Sequence, residues 1–243
     1  MAMNNLDYGV IGNCRTAALI SKEGSIDWFC LPDFDSPSVF SKLLDENKGG
    51  SFSFEVSSDY AISQKYFKNT NILSTWYESE EGAFVVYDYM PRYRTIEQRY
   101  YLPPEIHRYL RVIRGKPRLS VRYDPKMNYA AESVVHEKYR DYIKTTSVVN
   151  DRNEIYLYSS VDFDTILNGE EFRLSSDEFF LLSYTQKLIP IDLERIHLDY
   201  ERTKVYWLNW TNRSRKFLEY EDMINRSLLV IKLMSYHSTG AMI

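Results

Sequence analysis

Up to Gln186 apolar and polar positions alternate in short runs separated by turn residues. The alternation is clearest in Phe52-Ser-Phe-Glu-Val56 and Leu119-Ser-Val-Arg-Tyr123, where a strand would turn one apolar face inward and one polar face outward. Residues 72–77, 84–90, 109–113, 155–158 and 179–184 are further strand candidates, rich in β-branched and aromatic side chains. Lys22-Glu-Gly-Ser25, Asn47-Lys-Gly-Gly50, Glu80-Glu-Gly82, Arg114-Gly-Lys-Pro117 and Asn168-Gly169 mark turns between them. Many short strands with regular turns predict an antiparallel sandwich of two sheets, not βαβ units. Residues 38–45 break the pattern and predict one short helix, with Val39, Phe40, Leu43 and Leu44 on its buried side.

The texture changes near Pro190. Residues 191–212 lack Gly and Pro and hold Tyr206-Trp-Leu-Asn-Trp210, which predicts a helical connector. Between residues 219 and 236, Tyr220, Ile224, Leu228 and Ile231 recur at spacings of three and four, the signature of a helix face. Met223, Leu229, Val230, Leu233 and Met234 widen that face until the C-terminal half is apolar nearly all round. A helix of that kind belongs inside a larger helical domain. The expected organisation is a β region at 1–190 and a helical region at 191–243 that needs a covering partner.

Composition sharpens this reading. A chain of 243 residues with 44% hydrophobic and 26% charged residues can bury a core, and disorder is excluded. The 21 Tyr and 12 Phe fit pleated, half-buried surfaces, so packing accounts for most of them and sugar stacking for few. A net charge of −4 argues against a nucleic-acid partner, which needs a concentrated basic face. The basic residues between Arg92 and Arg122 are interrupted by acidic and apolar ones and read as a solvated sheet face. The apolar run at 228–234 is short and broken by Lys232, so no membrane span is expected. No charged-then-apolar leader is seen at the start. Cys14 and Cys30 are too few for a disulfide framework and read as buried free thiols in a reducing, cytoplasmic setting. His107, His136, His197 and His237 are scattered without metal-ligand spacing, and no glycine-rich phosphate loop or serine nucleophile elbow is present. No cofactor or metal is expected.

Four blocks carry a family resemblance. The first is Tyr8-Gly-Val-Ile-Gly-Asn-Cys-Arg-Thr-Ala-Ala-Leu-Ile20 with Gly24-Ser-Ile-Asp-Trp-Phe-Cys-Leu-Pro32, continuing into Phe34-Asp-Ser-Pro37. Asp88-Tyr-Met-Pro91 is the second, and Arg111-Val-Ile-Arg-Gly115 with Tyr123-Asp-Pro125 and Asn128-Tyr129 the third. The fourth runs from Tyr206-Trp207 and Trp210 through Asn225-Arg-Ser-Leu228 to Thr239-Gly-Ala241. Taken in order they resemble the N-terminal region of glycoside hydrolase family 15, the prokaryotic glucoamylase, glucodextranase and trehalase group.

The resemblance implies a β-supersandwich followed by an (α/α)6 barrel, and inverting hydrolysis of α-glucosidic bonds. One carboxylic acid protonates the leaving oxygen while an opposed carboxylate activates water. Both are barrel glutamates beyond the Thr-Gly-Ala segment in the family, so no catalytic or substrate-binding residue is carried over to this chain. The expected reading is the whole sandwich, the connector and the first helix of a truncated barrel, inactive alone. Its partner is the missing catalytic barrel in cis or in trans, and an α-glucan or α-glucoside is the substrate of the complete enzyme. A free-standing carbohydrate-binding or scaffolding sandwich is the alternative, and a homo-oligomer through the exposed apolar C-terminal helix is a third reading. Two departures stand out: Cys14 replaces the family's usual Gly in a predicted strand, and Ser238 replaces a usual Pro, which loosens the helix exit.

Asp27, Asp33 and Asp35 cluster around Trp28, but their spacing does not oppose two carboxyls across a sugar, and turn roles beside Pro32 and Pro37 fit them better. Asn13 and Arg15 would alternate outward from a strand and seat the β region against the barrel. Trp207, Trp210, Leu228 and Ile231 are the other expected interface residues.

Overall fold

In the computed structural model, which describes residues 7–149, 153–185, 187–188, 191–215 and 219–243, two antiparallel sheets stack face to face. The strands are β1 (Tyr8–Gly12), β2 (Ala17–Ser21), β3 (Ile26–Cys30), β4 (Ser38–Phe40), β5 (Ser51–Glu55), β6 (Ala61–Tyr66), β7 (Leu73–Glu78), β8 (Gly82–Tyr89), β9 (Tyr93–Arg94), β10 (Tyr100–Tyr101), β11 (Glu105–Gly115), β12 (Arg118–Asp124), β13 (Val134–Lys138), β14 (Ile143–Ser147), β15 (Glu154–Ser159), β16 (Phe172–Arg173) and β17 (Glu178–Tyr184). The helices are α1 (Phe163–Asn168), α2 (Leu193–Thr211) and α3 (Glu221–Leu233). The first sheet runs β1-β2-β3-β5-β12-β16 with β4 on β3, and the second β13-β14-β15-β17-β11-β8-β7-β6. Strands β9 and β10 form a separate hairpin.

The two-residue period explains the layering. In β5 and β12, Phe52, Phe54, Leu119, Val121 and Tyr123 point into the space between the sheets, and Glu55 and Arg122 point out. Phe180 of the facing sheet meets Phe52 and Phe54 at ring-centroid distances of 5.8 and 5.2 Å. Central strands of the second sheet are buried on both faces, so they read as unbroken apolar runs. In β17, Phe180 and Leu182 join the inter-sheet core, whereas Phe179 and Leu181 join a second cluster behind the sheet. Strand β15 divides likewise, with Ile155 and Leu157 inward and Tyr156 and Tyr158 behind.

Helix α2 covers this second face. Asp192 caps it by accepting from the Arg195 N–H at 2.8 Å. Its buried positions Ile196, Asp199, Tyr200, Thr203, Trp207 and Thr211 recur every three or four residues. Ile196 and Tyr200 pack among Tyr89, Tyr109, Tyr142, Tyr156 and Tyr158. The tyrosine-rich composition is therefore largely packing, with the phenol edges satisfied by hydrogen bonds such as Tyr89 to the Ile196 carbonyl at 2.6 Å.

The seven predicted strands are present, with boundaries shifted by a few residues. The helix predicted at 38–45 is not. Ser38–Phe40 pairs with β3, because Val39 and Phe40 complete the inter-sheet core, and the chain then turns, with Asp45 accepting the Asn47 and Lys48 N–H groups. Leu44 is left 66% exposed. Asn168-Gly169 ends the short helix α1 instead of joining two strands; Gly169 takes a left-handed cap at φ 63°. The boundary expected at Pro190 lies outside the described residues. No described helix is long and apolar enough to cross a membrane.

Candidate functional site at the junction of sandwich and helices

Asn13, Cys14, Arg15 and Thr16 form the turn between β1 and β2, not the continuous strand expected of them. Asn13 is fully buried instead of facing outward. Its Oδ1 accepts from the Arg15 and Thr16 N–H groups, and its Nδ2 donates to the Pro103 and Pro91 carbonyls at 2.8 and 3.4 Å. An Asx turn and two loop carbonyls thus use one amide completely. Cys14 adopts φ 68°, a left-handed conformation that glycine takes without penalty. In this chain the thiol fills space against Trp207 and Leu229 and lies 3.2 Å from the Lys232 carbonyl. Burial pushes the thiols of both Cys14 and Cys30 up from their usual range, and neither is in a disulfide. Arg15 donates from Nε to Asp33 Oδ1 at 3.0 Å, and the same oxygen accepts the Tyr236 hydroxyl at 3.1 Å.

Helix α3 sits between this turn and the loop joining β6 to β7. Its buried positions are Asn225, Leu229 and Leu233, and none of the expected stripe of Tyr220, Ile224, Leu228 and Ile231 is fully buried. The reason is polar anchoring. Asn225 reaches Asn69 Oδ1 at 3.2 Å, the Leu229 carbonyl accepts from Asn71, and Arg226 donates to the Thr70 carbonyl and Asn71 while lying over the Tyr66 ring at 4.0 Å. These contacts rotate Tyr220, Met223 and Ile231 outward, at 71%, 68% and 52% exposure, and leave Leu228 half-buried. Trp207 is fully buried and Trp210 half-buried, so α2, α3 and the hairpin turn meet around the first of them.

Sequence reasoning missed the centre of this region, Arg92. The one available signal was its place directly after Asp88-Tyr-Met-Pro91. Arg92 is 1% exposed and donates from Nη1 to the Asn13 carbonyl at 2.6 Å and from Nε to the Tyr206 hydroxyl at 2.8 Å. Its guanidinium lies 5.0 and 5.1 Å from the Tyr100 and Tyr206 ring centroids, and His237 Nδ1 stands 3.4 Å from Nη2. No carboxylate pairs with it among the described residues. Acceptors and ring faces take up a charge whose burial would otherwise be costly. Burial, then Arg92 and Lys232, hold the His237 imidazole below its ordinary range.

Tyr100 and Tyr206 are also two walls of a cleft of about 450 Å³ between the β9–β10 hairpin and α2. Trp210 and Tyr93 add aromatic surface, and Arg94, Glu201, Arg202, Asn209 and Arg213 supply polar groups.

The carboxylates around Trp28 do not form an acid–base pair. Asp27 is buried against the Ser25 and Tyr8 hydroxyls, Asp33 is held by Arg15 and Tyr236, and Asp35 is exposed on its turn. His107 is enclosed by Tyr89 and Glu105, and His136 bonds Thr145. Among the described residues no three His, Cys, Asp or Glu side chains gather as metal ligands.

The trehalase-like N-terminal family matches residues 5–171. A trehalase of Thermoplasma volcanium is 31% identical over 97% of this chain and 38% of its own length. Another from Thermoplasma acidophilum is 30% identical over 93% of this chain and 39% of its own, and one from Mycolicibacterium smegmatis 26% identical over 98% and 39%. This chain thus spans about two fifths of the curated relatives it matches. With its sandwich, capping helix and hairpin-turn junction, it belongs to the trehalase-like N-terminal family.

Proposed function

We propose that this chain is the non-catalytic N-terminal part of a family 15 glycosidase of trehalase or glucoamylase type, and that its junction seats the catalytic barrel. The observation that carries the reading is the orientation of α3. Asn225, Leu229 and Leu233 lock it to the sandwich, while Tyr220, Met223 and Ile231 stay exposed as one apolar stripe, a surface of the kind that marks an interface. The relatives extend well beyond the matched region, which leaves length for a catalytic domain to pack there. Residues 1–190 are then the sandwich, and residues 191–243 the connector and first barrel helix. Asn13 and Arg15 act through the turn that supports this helix, Trp207 and Trp210 through the connector, and Leu228 and Ile231 at the contact itself.

The chemistry is inverting hydrolysis of an α-glucosidic bond, by an acid and a base on opposite sugar faces. In this reading neither belongs to this chain, whose Asp27 and Asp33 carboxylates are taken up by hydroxyl and guanidinium partners, so it hydrolyses nothing alone. The buried unpaired thiols fit a reducing, cytoplasmic setting.

Activity complementation tests the proposal. The pure chain is mixed with a separately produced barrel region from the same source, and glucose release from trehalose, maltose and dextran is followed. Activity that appears or rises only in the mixture supports seating, and Ile231→Glu should abolish the rise. Glucose release by the chain alone, or a barrel indifferent to it, overturns the proposal. Sedimentation of the chain alone separates this from a dimer that buries two α3 stripes.

A further inference from the structure

We propose that the cleft between the β9–β10 hairpin and α2 binds a phosphorylated sugar. The inference is independent of the seating of a barrel and rests on the cleft's size, its walls and its charge. Its volume of about 450 Å³ suits a ligand of one or two sugar rings. Tyr100, Tyr206 and Trp210 present apolar ring surface to it, and two of these rings are fixed from behind. Arg92 supports Tyr100 and Tyr206 from below, the Tyr206 hydroxyl accepts from Arg92, and the Tyr100 hydroxyl accepts from Arg94 at 2.9 Å. Walls held in this way lose little side-chain freedom when a ligand settles against them.

The charge then selects among sugars. The protein carries a net charge of −4, yet Arg94, Arg202 and Arg213 line this cleft against a single acid, Glu201. That acid is engaged by Lys204 at 2.6 Å, so it does not offset the guanidinium groups. Arg92 adds a buried charge behind the two tyrosines, with no carboxylate partner among the described residues. Arg202 lies over the Tyr93 ring at 5.2 Å, and neither it nor Arg213 is in an ion pair among the described residues. Guanidinium groups match phosphoryl oxygens with paired hydrogen bonds, while the aromatic walls take the C–H face of a ring. Asn209 and Glu201 also line the cleft and offer polar groups to sugar hydroxyls. A neutral sugar would use the walls and leave the cations unused; free phosphate would use the cations alone.

Titration of this chain, read by tryptophan fluorescence and calorimetry, separates these cases with glucose 6-phosphate, glucose and inorganic phosphate as probes. Saturable binding of glucose 6-phosphate in the millimolar range or tighter is expected, with glucose and phosphate each at least about tenfold weaker. Added salt should weaken it, since the phosphoryl contribution is electrostatic. Arg213→Ala, an exposed substitution that leaves the fold intact, should cost about tenfold or more, and Trp210→Ala should weaken glucose 6-phosphate and glucose alike. Absence of saturation with glucose 6-phosphate overturns the proposal. So does equal binding of glucose, or an Arg213→Ala protein that binds unchanged.

Discussion

Arg108 stands directly opposite Asp88 across β11 and β8, and both side chains are fully buried. The guanidinium donates from Nε to Asp88 Oδ1 at 2.8 Å and from Nη2 to Oδ2 at 3.3 Å. It also reaches the Phe52 carbonyl at 2.6 Å and the Gly24 carbonyl, so one side chain ties the second sheet to the first. Phe52 and Phe54 rings flank it at 4.9 and 4.4 Å. The aspartate of the Asp-Tyr-Met-Pro block is therefore a structural partner of this arginine. Asp88→Ala leaves a buried cation unpaired and should lower the unfolding free energy by about 3–5 kcal/mol. Urea titration checks this, and a loss under about 1 kcal/mol, typical of a solvated pair, would remove the pair from that role.

Gly12 marks the close approach of β1 to α3. A Cβ there would lie 2.6 Å from the Thr16 carbonyl oxygen and 3.1 Å from Leu233. The first contact is backbone within the turn, so the methyl cannot be accommodated by a side-chain rotation alone. Gly12→Ala should destabilise by about 1–3 kcal/mol, as overpacking does. Limited proteolysis should show earlier cleavage around α3 than in the parent chain; an unchanged pattern and midpoint would contradict the contact.

Cys14 presents opposing demands, a left-handed backbone that favours Gly and a pocket against Trp207 and Leu229 that favours a side chain. Cys14→Ala keeps the strained φ and loses the sulfur contacts, whereas Cys14→Gly relieves the backbone and loses the same contacts. The glycine variant should therefore be the more stable of the two, by about 1 kcal/mol, in thermal or urea unfolding. Both thiols should also be silent to a thiol reagent in the folded chain and react in denaturant, since Cys14 is buried and Cys30 is pushed up to about 11. Rapid native labelling at neutral pH would contradict their placement.

Two histidines set a pH dependence. Burial holds His136 below its ordinary value of 6.5, and burial with Arg92 and Lys232 does the same for His237. The folded chain then binds fewer protons than the unfolded chain just below 6.5, so stability rises with pH through that window. The contribution is complete above 6.5 and is lost as pH falls from 6.5 toward the lowered folded values. Asp124 near His136 opposes the shift and Lys126 adds to it, without changing its sign. Unfolding midpoints from pH 7.5 to 5, about the range in which histidine titrates, should fall less steeply in His136→Gln and His237→Gln than in the parent chain. Equal slopes in all three would place the titration elsewhere.

Much of the β architecture was legible because strand alternation is a local property. Phe52 and Phe54, or Leu119, Val121 and Tyr123, have one side to bury whatever else the chain does. The segment at 38–45 misled because Val39, Phe40, Leu43 and Leu44 satisfy a helical spacing equally well; the edge of β3 decided between the two. The buried face of α3 differs from the expected stripe because two of its polar residues, Asn225 and Arg226, bond the β6–β7 loop and turn the helix against its hydrophobic spacing. For Asn13 the signal was present but ambiguous, since Asn suits either a strand face or an Asx turn.

By itself, then, the sequence determined the sheet-rich class, the helical ending and the family blocks, all properties of residue period and order. Tertiary structure alone decided that Asn13 is buried, that Arg92 joins the hairpin turn to α2 and His237, and that Tyr100, Tyr206 and Trp210 share one cleft. Arg92 lies 79, 114 and 145 positions from Asn13, Tyr206 and His237, and no local periodicity carries such pairings. They arise when two sheets close on their core and the connecting segments are forced to satisfy their remaining polar groups against one another.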